Sequence, residues 1–322
     1  MSVYTKVSQS ELATFMTDYA VGELINHQGI ESGIENTNFF VYTQSQQQKS
    51  EYVLTLFEQH NAEDLPYFIH LMQHLADAGI PTARPIPDKK GVLLKQLNGR
   101  PTVLVARLQG KEPKTIDANI CQQIGKAIAQ MHKAVQSYRG GTRAHSRDFD
   151  WQQKTANILL PILNKEDAFL LEDELVWQQQ QQQYYKNLPL GVIHADVFRD
   201  NTLFMEGKLT GIIDFYYACN YVFLYDLAVI ANDWCRLENG DFDEDRLKAF
   251  CHAYQSIRPL NSDELQCWAN MVRFSALRFW LSRLKSEMNP PEGELTHLKD
   301  PEEFKIKLIA SRRENLTPSC FL

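Results

Sequence analysis

The sequence predicts an α+β protein with an antiparallel sheet in its N-terminal part and a larger, mainly helical C-terminal part. Three short apolar runs between residues 24 and 57 are separated by polar turns, as in a meander of strands. From Asp117 onward, apolar residues instead recur at intervals of three and four, as on one face of a helix. The 322 residues suffice for one large unit with two lobes.

Two helices and five strands are expected in the N-terminal part. Ser8 and Glu11 have the spacing of a capping box, so a helix begins the chain. Asp64 is the expected N-cap of a second helix, which Gly79 ends. The predicted strands cover residues 24–28, 39–43, 52–57, 91–97 and 102–108.

The chain is expected to leave this sheet at a hinge, so that residues 1–108 form an N-terminal lobe and residues 109–322 a C-terminal lobe. The C-terminal lobe is predicted to be helical around one small hairpin. A run of six glutamines, residues 178–183, is expected on a solvated helical face, because glutamine is polar and forms helices well.

Composition excludes several classes of function. The net charge is −7 and the Lys and Arg residues are scattered, so the chain lacks the basic stripe that nucleic-acid binding requires. The six cysteines show no zinc-site spacing, which favours free thiols. No run reaches the roughly 20 apolar residues of a membrane span, and the first residues do not have the pattern of a signal peptide. We therefore expect a cytoplasmic protein without nucleic-acid or membrane partners.

The densest group of chemically useful side chains lies between residues 191 and 215. Asp196 begins a short loop that Asn201 ends, and Asp214 follows the second of two strand-like runs. A turn at residues 206–208 would place Asn201 and Asp214 at the same end of a hairpin. Two oxygen ligands would then converge on one cation.

This pattern suits phosphoryl transfer, in which a protein mainly positions the reactants and neutralises charge. Such a site needs a carboxylate near the attacking hydroxyl group and hard oxygen ligands for a magnesium ion on the phosphates. Asp196 meets the first need, and Asn201 and Asp214 meet the second. His194 belongs to the same catalytic loop and is expected to shape it by bonding the backbone or Asp214.

The motif His194-x-Asp196, the following Asn201 and the later apolar-apolar-Asp214 resemble the catalytic and metal-binding loops of the kinase-like phosphotransferases. Ala195 stands where protein kinases usually have Arg, which points to the branch that acts on small molecules. The wider stretches 194–201 and 213–220 look specifically like the homoserine kinases of the aminoglycoside-phosphotransferase-like type.

This resemblance covers essentially the whole chain and implies a protein-kinase-like fold with two lobes and with ATP and Mg²⁺ between them. It also implies that the γ-phosphate passes to L-homoserine, giving O-phospho-L-homoserine on the path to threonine. The segment from Gly29 to Asn38 corresponds to the glycine-containing flap over the phosphates. The nucleotide-binding residues expected from the resemblance are Ser32, Gly33, Asn36, Asn38, Thr55, Val105 and Arg107.

Thr55 is one departure from the fold's pattern, because that strand position normally carries Lys or Arg for the phosphates. Lys95, Arg107 and Arg199 are candidates for the replacement, and greater neutralisation by magnesium is the other possibility. The sequence leaves the choice between them open.

The substrate side is assigned to three residues. Arg278 could clamp a carboxylate in bidentate fashion, and Tyr216 follows the metal-binding aspartate. Asp226 resembles the family's buried aspartate that braces the catalytic loop, and we group it with Arg278 and Tyr216 on the substrate side. Five aromatic residues in this region suit either a packed core or a cage for a quaternary ammonium group: Tyr216, Tyr217, Tyr221, Phe223 and Tyr225.

Three alternatives stay open. A choline or ethanolamine kinase would share every catalytic residue and would use the aromatic side chains as its cage. An aminoglycoside phosphotransferase would need an acidic pocket, for which residues 238–245 are the candidate segment. A nucleotide-binding pseudoenzyme is suggested only by Thr55 in place of the usual cation.

Overall fold

The computed structural model describes residues 5–30, 36–46, 48–60, 62–288, 299–313 and 316–321. Within these ranges, the residues up to Gln109 form one compact unit and those from Gly110 onward form a second. None of the helices in the described part of the chain is both long enough and apolar enough to cross a bilayer.

An antiparallel sheet of five strands organises the first unit, in the spatial order β1-β2-β3-β5-β4. The strands are β1 (Glu23–Gly29), β2 (Asn36–Ser45), β3 (Gln48–Phe57), β4 (Leu94–Leu97) and β5 (Arg100–Ala106). The predicted five-stranded sheet is confirmed. Strand β2 begins three residues earlier than expected, because Asn36 and Thr37 pair with the last residues of β3.

Two helices accompany this sheet, α1 (Gln9–Met16) and α2 (Leu65–Asp77). The predicted capping box is present, since Glu11 N donates to Ser8 Oγ (3.3 Å) and Ser8 N donates to the Glu11 carboxylate (2.8 Å). Asp64 lies at the expected N-cap position of α2 but makes no capping bond through its side chain. Its backbone is already helical, whereas a capping side chain needs an extended backbone to reach back.

The second unit consists of helices and two small antiparallel sheets, so the predicted α+β class is confirmed. The helices are α3 (Ala118–Ala134), α4 (Phe149–Leu159), α5 (Lys165–Tyr185), α6 (Leu224–Trp234), α7 (Glu244–Gln255), α8 (Ser262–Met288) and α9 (Pro301–Arg313). The strands are β6 (Leu190–Ile193), which pairs with β9 (Cys219–Val222), and β7 (Thr202–Met205), which pairs with β8 (Lys208–Ile212).

The glutamine run on α5 is only partly solvated, which corrects the expectation of an exposed face. Gln178 and Gln181 are buried, and the Asn270 amide of α8 donates to Gln181 at 2.8 Å. Gln178 donates to Glu174 (2.9 Å), a buried acid that also accepts from Arg273 of α8 (3.1 Å). Helix α5 therefore packs a polar side against α8, which a search for apolar stripes does not detect.

Gly125 lies at the contact between α3 and α7. A Cβ atom at Gly125 would lie 2.6 Å from the Phe250 carbonyl oxygen and 3.2 Å from the Ala253 Cβ. Alanine forms helices better than glycine. We nevertheless expect Gly125→Ala to lower the free energy of unfolding by about 1–3 kcal/mol, because the backbone of α7 would have to move.

Urea unfolding followed by circular dichroism measures this effect. The control is Gln130→Ala on the exposed face of α3, which is expected to leave the stability unchanged or slightly higher. A Gly125→Ala protein as stable as the wild type would show that the two helices are not packed this closely.

Candidate active site

Strands β7 and β8 form the hairpin that was predicted around residues 206–208. The chain turns at Glu206 and Gly207, both with positive φ (52° and 74°), as in a two-residue type I′ turn. At the open end, Ile213 N donates to the Asn201 carbonyl oxygen at 3.0 Å. This bond holds Asn201 beside the residue that precedes Asp214, so the backbones of the two expected metal ligands are neighbours.

The side chain of Asn201 fixes Asp196. Its amide Nδ2 donates to the Asp196 carbonyl oxygen (2.8 Å) and to Asp196 Oδ2 (3.1 Å). Both bonds use the amide nitrogen, so the carbonyl oxygen Oδ1 is the atom of Asn201 suited to bind a cation. Asp214 is exposed, and its left-handed backbone (φ 64°) is a conformation that aspartate tolerates better than most residues.

Asp196 is largely shielded from water, with 19% of its side chain exposed, and Arg278 Nη1 lies 3.6 Å from its Oδ1. Burial raises the pKa of Asp196 above its ordinary value, and the nearby Arg278 charge offsets part of that rise. A carboxylate with a raised pKa accepts a proton more readily, as a general base must.

Asp226, in the first turn of α6, binds the backbone of the catalytic loop. Its Oδ2 accepts from His194 N (2.9 Å) and its Oδ1 accepts from Ala195 N (2.7 Å). Ala195 has a positive φ of 67°, which is strained for a residue with a Cβ atom. Because Asp226 is fully buried and occupied by these bonds, its assignment to the substrate side is corrected to a bracing role.

A line of buried polar groups continues from Asp226 into α3 and α7. His132 Nε2 lies 3.0 Å from Asp226 Oδ2, and His132 Nδ1 lies 2.8 Å from the Tyr254 hydroxyl. Arg258 donates to that hydroxyl (3.1 Å) and to Glu264 (2.9 Å). The sequence offered no sign that His132 reaches the loop, because the contact joins residues 94 positions apart.

The far end of α6 holds the other side of the loop. Asp233 accepts from Arg199 N (2.9 Å) and from Arg199 Nε (3.2 Å), and Trp234 Nε1 donates to the Val197 carbonyl oxygen (2.9 Å). Neither Asp233 nor Trp234 was singled out from the sequence. Seven residues separate Asp226 from Asp233, so both lie on one face of the helix.

His194 joins the predicted catalytic loop to the segment that follows β8. Its Nε2 lies 2.9 Å from the Ile213 carbonyl oxygen, so Nε2 carries the proton and donates there. Its Nδ1 then accepts from Asp196 N (3.3 Å). The structure therefore gives His194 a backbone partner, one of the two partners expected from the sequence.

The residues expected to bind nucleotide lie in the first unit, except that Ser32 and Gly33 fall outside the described residues. Asn36 and Asn38 lie in strand β2, which corrects their placement in a loop. Thr55 faces Asn38 across the strand pair and donates its hydroxyl to Asn38 Oδ1 at 2.7 Å. Val105 is buried in β5.

Each of the three candidate cations has an acidic neighbour. Lys95 pairs with Asp18 and Asp88, and Arg199 pairs with Asp233 as described above. Arg107 Nη1 lies 3.3 Å from the Glu51 carboxylate, and its guanidinium lies over the Phe40 ring at 3.9 Å. The structure therefore does not single out one replacement for the usual strand lysine.

The aromatic residues after Asp214 mostly pack in the core. Phe223 and Tyr225 are buried, and Tyr221 stacks on His145 with ring centroids 4.7 Å apart. Tyr216 is half-buried in the short 3₁₀ turn that follows Asp214. In the acidic segment 238–245, Asp243 accepts from Arg246 N at 3.1 Å and so caps α7.

A cation between Asn201 and Asp214 would need ligands from a bound substrate. In the part of the chain that the structure describes, no three His, Cys, Asp or Glu side chains cluster as they do at a self-sufficient metal site. A carboxylate and an amide carbonyl are nevertheless the hard oxygen donors that magnesium prefers, and magnesium commonly takes its remaining ligands from phosphates and water.

His132 is expected to make stability depend on pH. Burial lowers the pKa of His132 below its ordinary value of 6.5, so the ring stays neutral in the folded protein while it takes up a proton in the unfolded chain. Stability should therefore fall as the pH drops below about 6.5, by up to about 1.4 kcal/mol per pH unit from this group. Urea unfolding at several pH values between 7.5 and 5 measures the slope.

Two variants isolate this contribution. His132→Gln should reduce the slope, because no titratable ring remains at this position. Tyr254→Phe removes the other partner of the same ring but keeps the histidine, so it should be less stable at every pH and retain the slope. Equal slopes in the wild type and in His132→Gln would mean that the folded state tolerates the charged ring.

Comparisons with known proteins identify relatives of this chain. A family model described as the phosphotransferase enzyme family matches residues 26–260. The homoserine kinase of Methylobacillus flagellatus is 44% identical over 319 residues, which is 98% of each chain. The homoserine kinase of Neisseria meningitidis is 39% identical over 310 residues, which is 96% of this chain and 99% of the relative.

Solved structures share the fold at much lower identity. An amicoumacin kinase superposes with a TM-score of 0.68 at 13% identity, over 95% of this chain and 93% of its own. A microcompartment-associated aminopropanol kinase gives 0.67 at 16% identity, over 97% and 95%. These likenesses confirm the kinase-like fold, and the full-length relatives confirm the resemblance drawn from the sequence. The chain therefore belongs to the phosphotransferase enzyme family and, within it, to the homoserine kinases.

Proposed function

We propose that this protein transfers the γ-phosphate of ATP to the side-chain hydroxyl of L-homoserine, giving O-phospho-L-homoserine on the path to threonine. The observation that carries the proposal is the arrangement of Asp196, Asn201 and Asp214 at the open end of one hairpin. The full-length relatives named homoserine kinase support the choice of substrate.

Asp196 is the residue proposed to contact the reacting hydroxyl. Its carboxylate is held by the Asn201 amide, and burial raises its pKa, which suits a group that orients the hydroxyl and accepts its proton late in the transfer. The hydroxyl needs little earlier activation, because the transition state of phosphoryl transfer is loose and depends mainly on positioning.

Asn201 Oδ1 and the Asp214 carboxylate are proposed to hold Mg²⁺, which would neutralise the phosphate charge when bound. The nucleotide contacts are proposed for residues of the first unit, with Asn38 and Thr55 as a hydrogen-bonded polar pair on the sheet. Since Lys95, Arg107 and Arg199 each have an acidic neighbour, we assign a larger share of the charge neutralisation to the metal.

The alternatives have less support. A cage for quaternary ammonium would need accessible aromatic rings, yet Phe223 and Tyr225 are packed in the core. The acidic segment proposed for an aminoglycoside pocket uses Asp243 to cap α7. The buried, unpaired cysteines within the described residues agree with a reducing compartment, so we place the enzyme in the cytoplasm.

The substrate assignment is tested by coupled ADP release with L-homoserine, choline, methylthioribose and kanamycin in parallel. We expect turnover with L-homoserine and at most slow turnover with the other three alcohols. If another alcohol is phosphorylated and L-homoserine is not, the assignment of the substrate is wrong, but the assignment of the protein as a kinase still holds. Omission of magnesium should abolish turnover in each case.

Asp196→Asn should lower kcat by about 10²- to 10⁴-fold, because the amide cannot accept the proton. Its thermal stability should stay near that of the wild type, since the amide can still bond Asn201. The matched control is Asp200→Asn in the same loop, whose exposed carboxylate pairs with Lys299, and near-normal turnover is expected there. A wild-type kcat in Asp196→Asn would show that Asp196 is not the residue that accepts the proton.

A further inference from the structure

Arg278 of α8 is a buried cation whose hydrogen-bonding capacity is only partly used. It is 5% exposed, and its Nε has no hydrogen-bond partner among the described residues. The nearest acid is Asp196, whose Oδ1 lies 3.6 Å from Nη1, beyond the usual length of a charged hydrogen bond. A guanidinium has five donors, and leaving even one of them unpaired away from water is costly.

Two further polar atoms in the same neighbourhood lack partners. The hydroxyl of Tyr225 and Nδ1 of His145 are both enclosed and unbonded within the described ranges. Their rings are in contact, with centroids 4.8 Å apart. Arg278 is close enough to both residues for its charge to affect their pKa values. Burial and the Arg278 charge together lower the pKa of His145 to about 3. We refer to these three residues, Arg278, Tyr225 and His145, as the Arg278 cluster.

The surroundings hold the Arg278 cluster in place. The next residue on α8, Phe279, packs edge-on against Phe198 of the catalytic loop, with ring centroids 4.6 Å apart. Tyr225 directly precedes Asp226, the residue that braces that loop. The unpartnered donors and the Asp196 carboxylate are therefore positioned by the same two helices.

From this geometry we infer that Arg278, assisted by the Tyr225 hydroxyl, binds the α-carboxylate of the amino-acid substrate and thereby selects amino acids with a hydroxyl on a short side chain. Two N–H groups of a guanidinium match the two oxygens of a carboxylate. The inference rests on the proposed function, since it assigns a substrate group to the same site. Because Arg278 lies so near Asp196, only a short carbon chain fits between the carboxylate and the reacting hydroxyl.

The test compares L-homoserine with L-homoserinamide, which keeps the size and hydroxyl but lacks the carboxylate charge. The wild type should show a kcat/KM about 10- to 100-fold higher for L-homoserine. Arg278→Gln should lose most of this preference, mainly through a higher KM for L-homoserine. Removing the charge beside Asp196 affects both substrates alike, so that effect cancels in the ratio of the two kcat/KM values. Arg278→Lys should keep part of the preference, because lysine carries the charge but cannot bind a carboxylate in bidentate fashion.

Arg283→Gln is the matched control. Arg283 is another buried arginine of α8, but it pairs with Glu303 at 2.6 Å, so its replacement should alter stability and leave the preference intact. A wild-type enzyme that phosphorylates both compounds equally well would overturn the inference without any variant. An Arg278→Gln variant that weakens both substrates equally would also overturn it, by showing that Arg278 only positions Asp196. Turnover with neither compound would instead refute the proposed function itself.

Discussion

The hydrogen bonds that two backbone N–H groups donate to one buried carboxylate set the shape of the catalytic loop. Asp226 accepts from His194 N and Ala195 N, and no solvent competes for these bonds. Ala195 would otherwise relax from its left-handed backbone, which is unfavourable by roughly 1–2 kcal/mol for a residue with a Cβ atom. The position of Asp196, the next residue, follows from that strained geometry.

Helix α6 extends this constraint over the whole loop. Asp233 and Trp234, at its far end, bind the backbone at Arg199 and Val197, so the loop is held at both sides of Asp196. Such rigidity suits phosphoryl transfer, where the protein contributes mainly by positioning reactants. Burial adds the electrostatic part, because it raises the pKa of Asp196.

Much of this arrangement could be predicted because it depends on neighbours along the chain. The hairpin follows from two apolar runs around Glu206 and Gly207, and it alone brings Asn201 and Asp214 to one end. The predictions failed for residues whose neighbours in space come from segments that are distant in the chain. Gln178 is buried only because α8 brings polar partners to it, and the lack of a partner for Arg278 Nε among the described residues depends on the distant segments that surround it.

The sequence by itself determined the α+β class, the five-stranded sheet and the three polar residues of the proposed site, because periodicity and spacing depend only on residues that are close together in the chain. Only the tertiary structure decided that His132 supports Asp226 from α3 and that Arg278 faces Asp196 from α8, whereas the bracing role of Asp226 is already implied by the family resemblance. The contacts that Asp226, His132 and Arg278 make here join residues that lie between 31 and 94 positions apart in the chain. Their partners are fixed by how whole helices pack, and packing depends on the complete core.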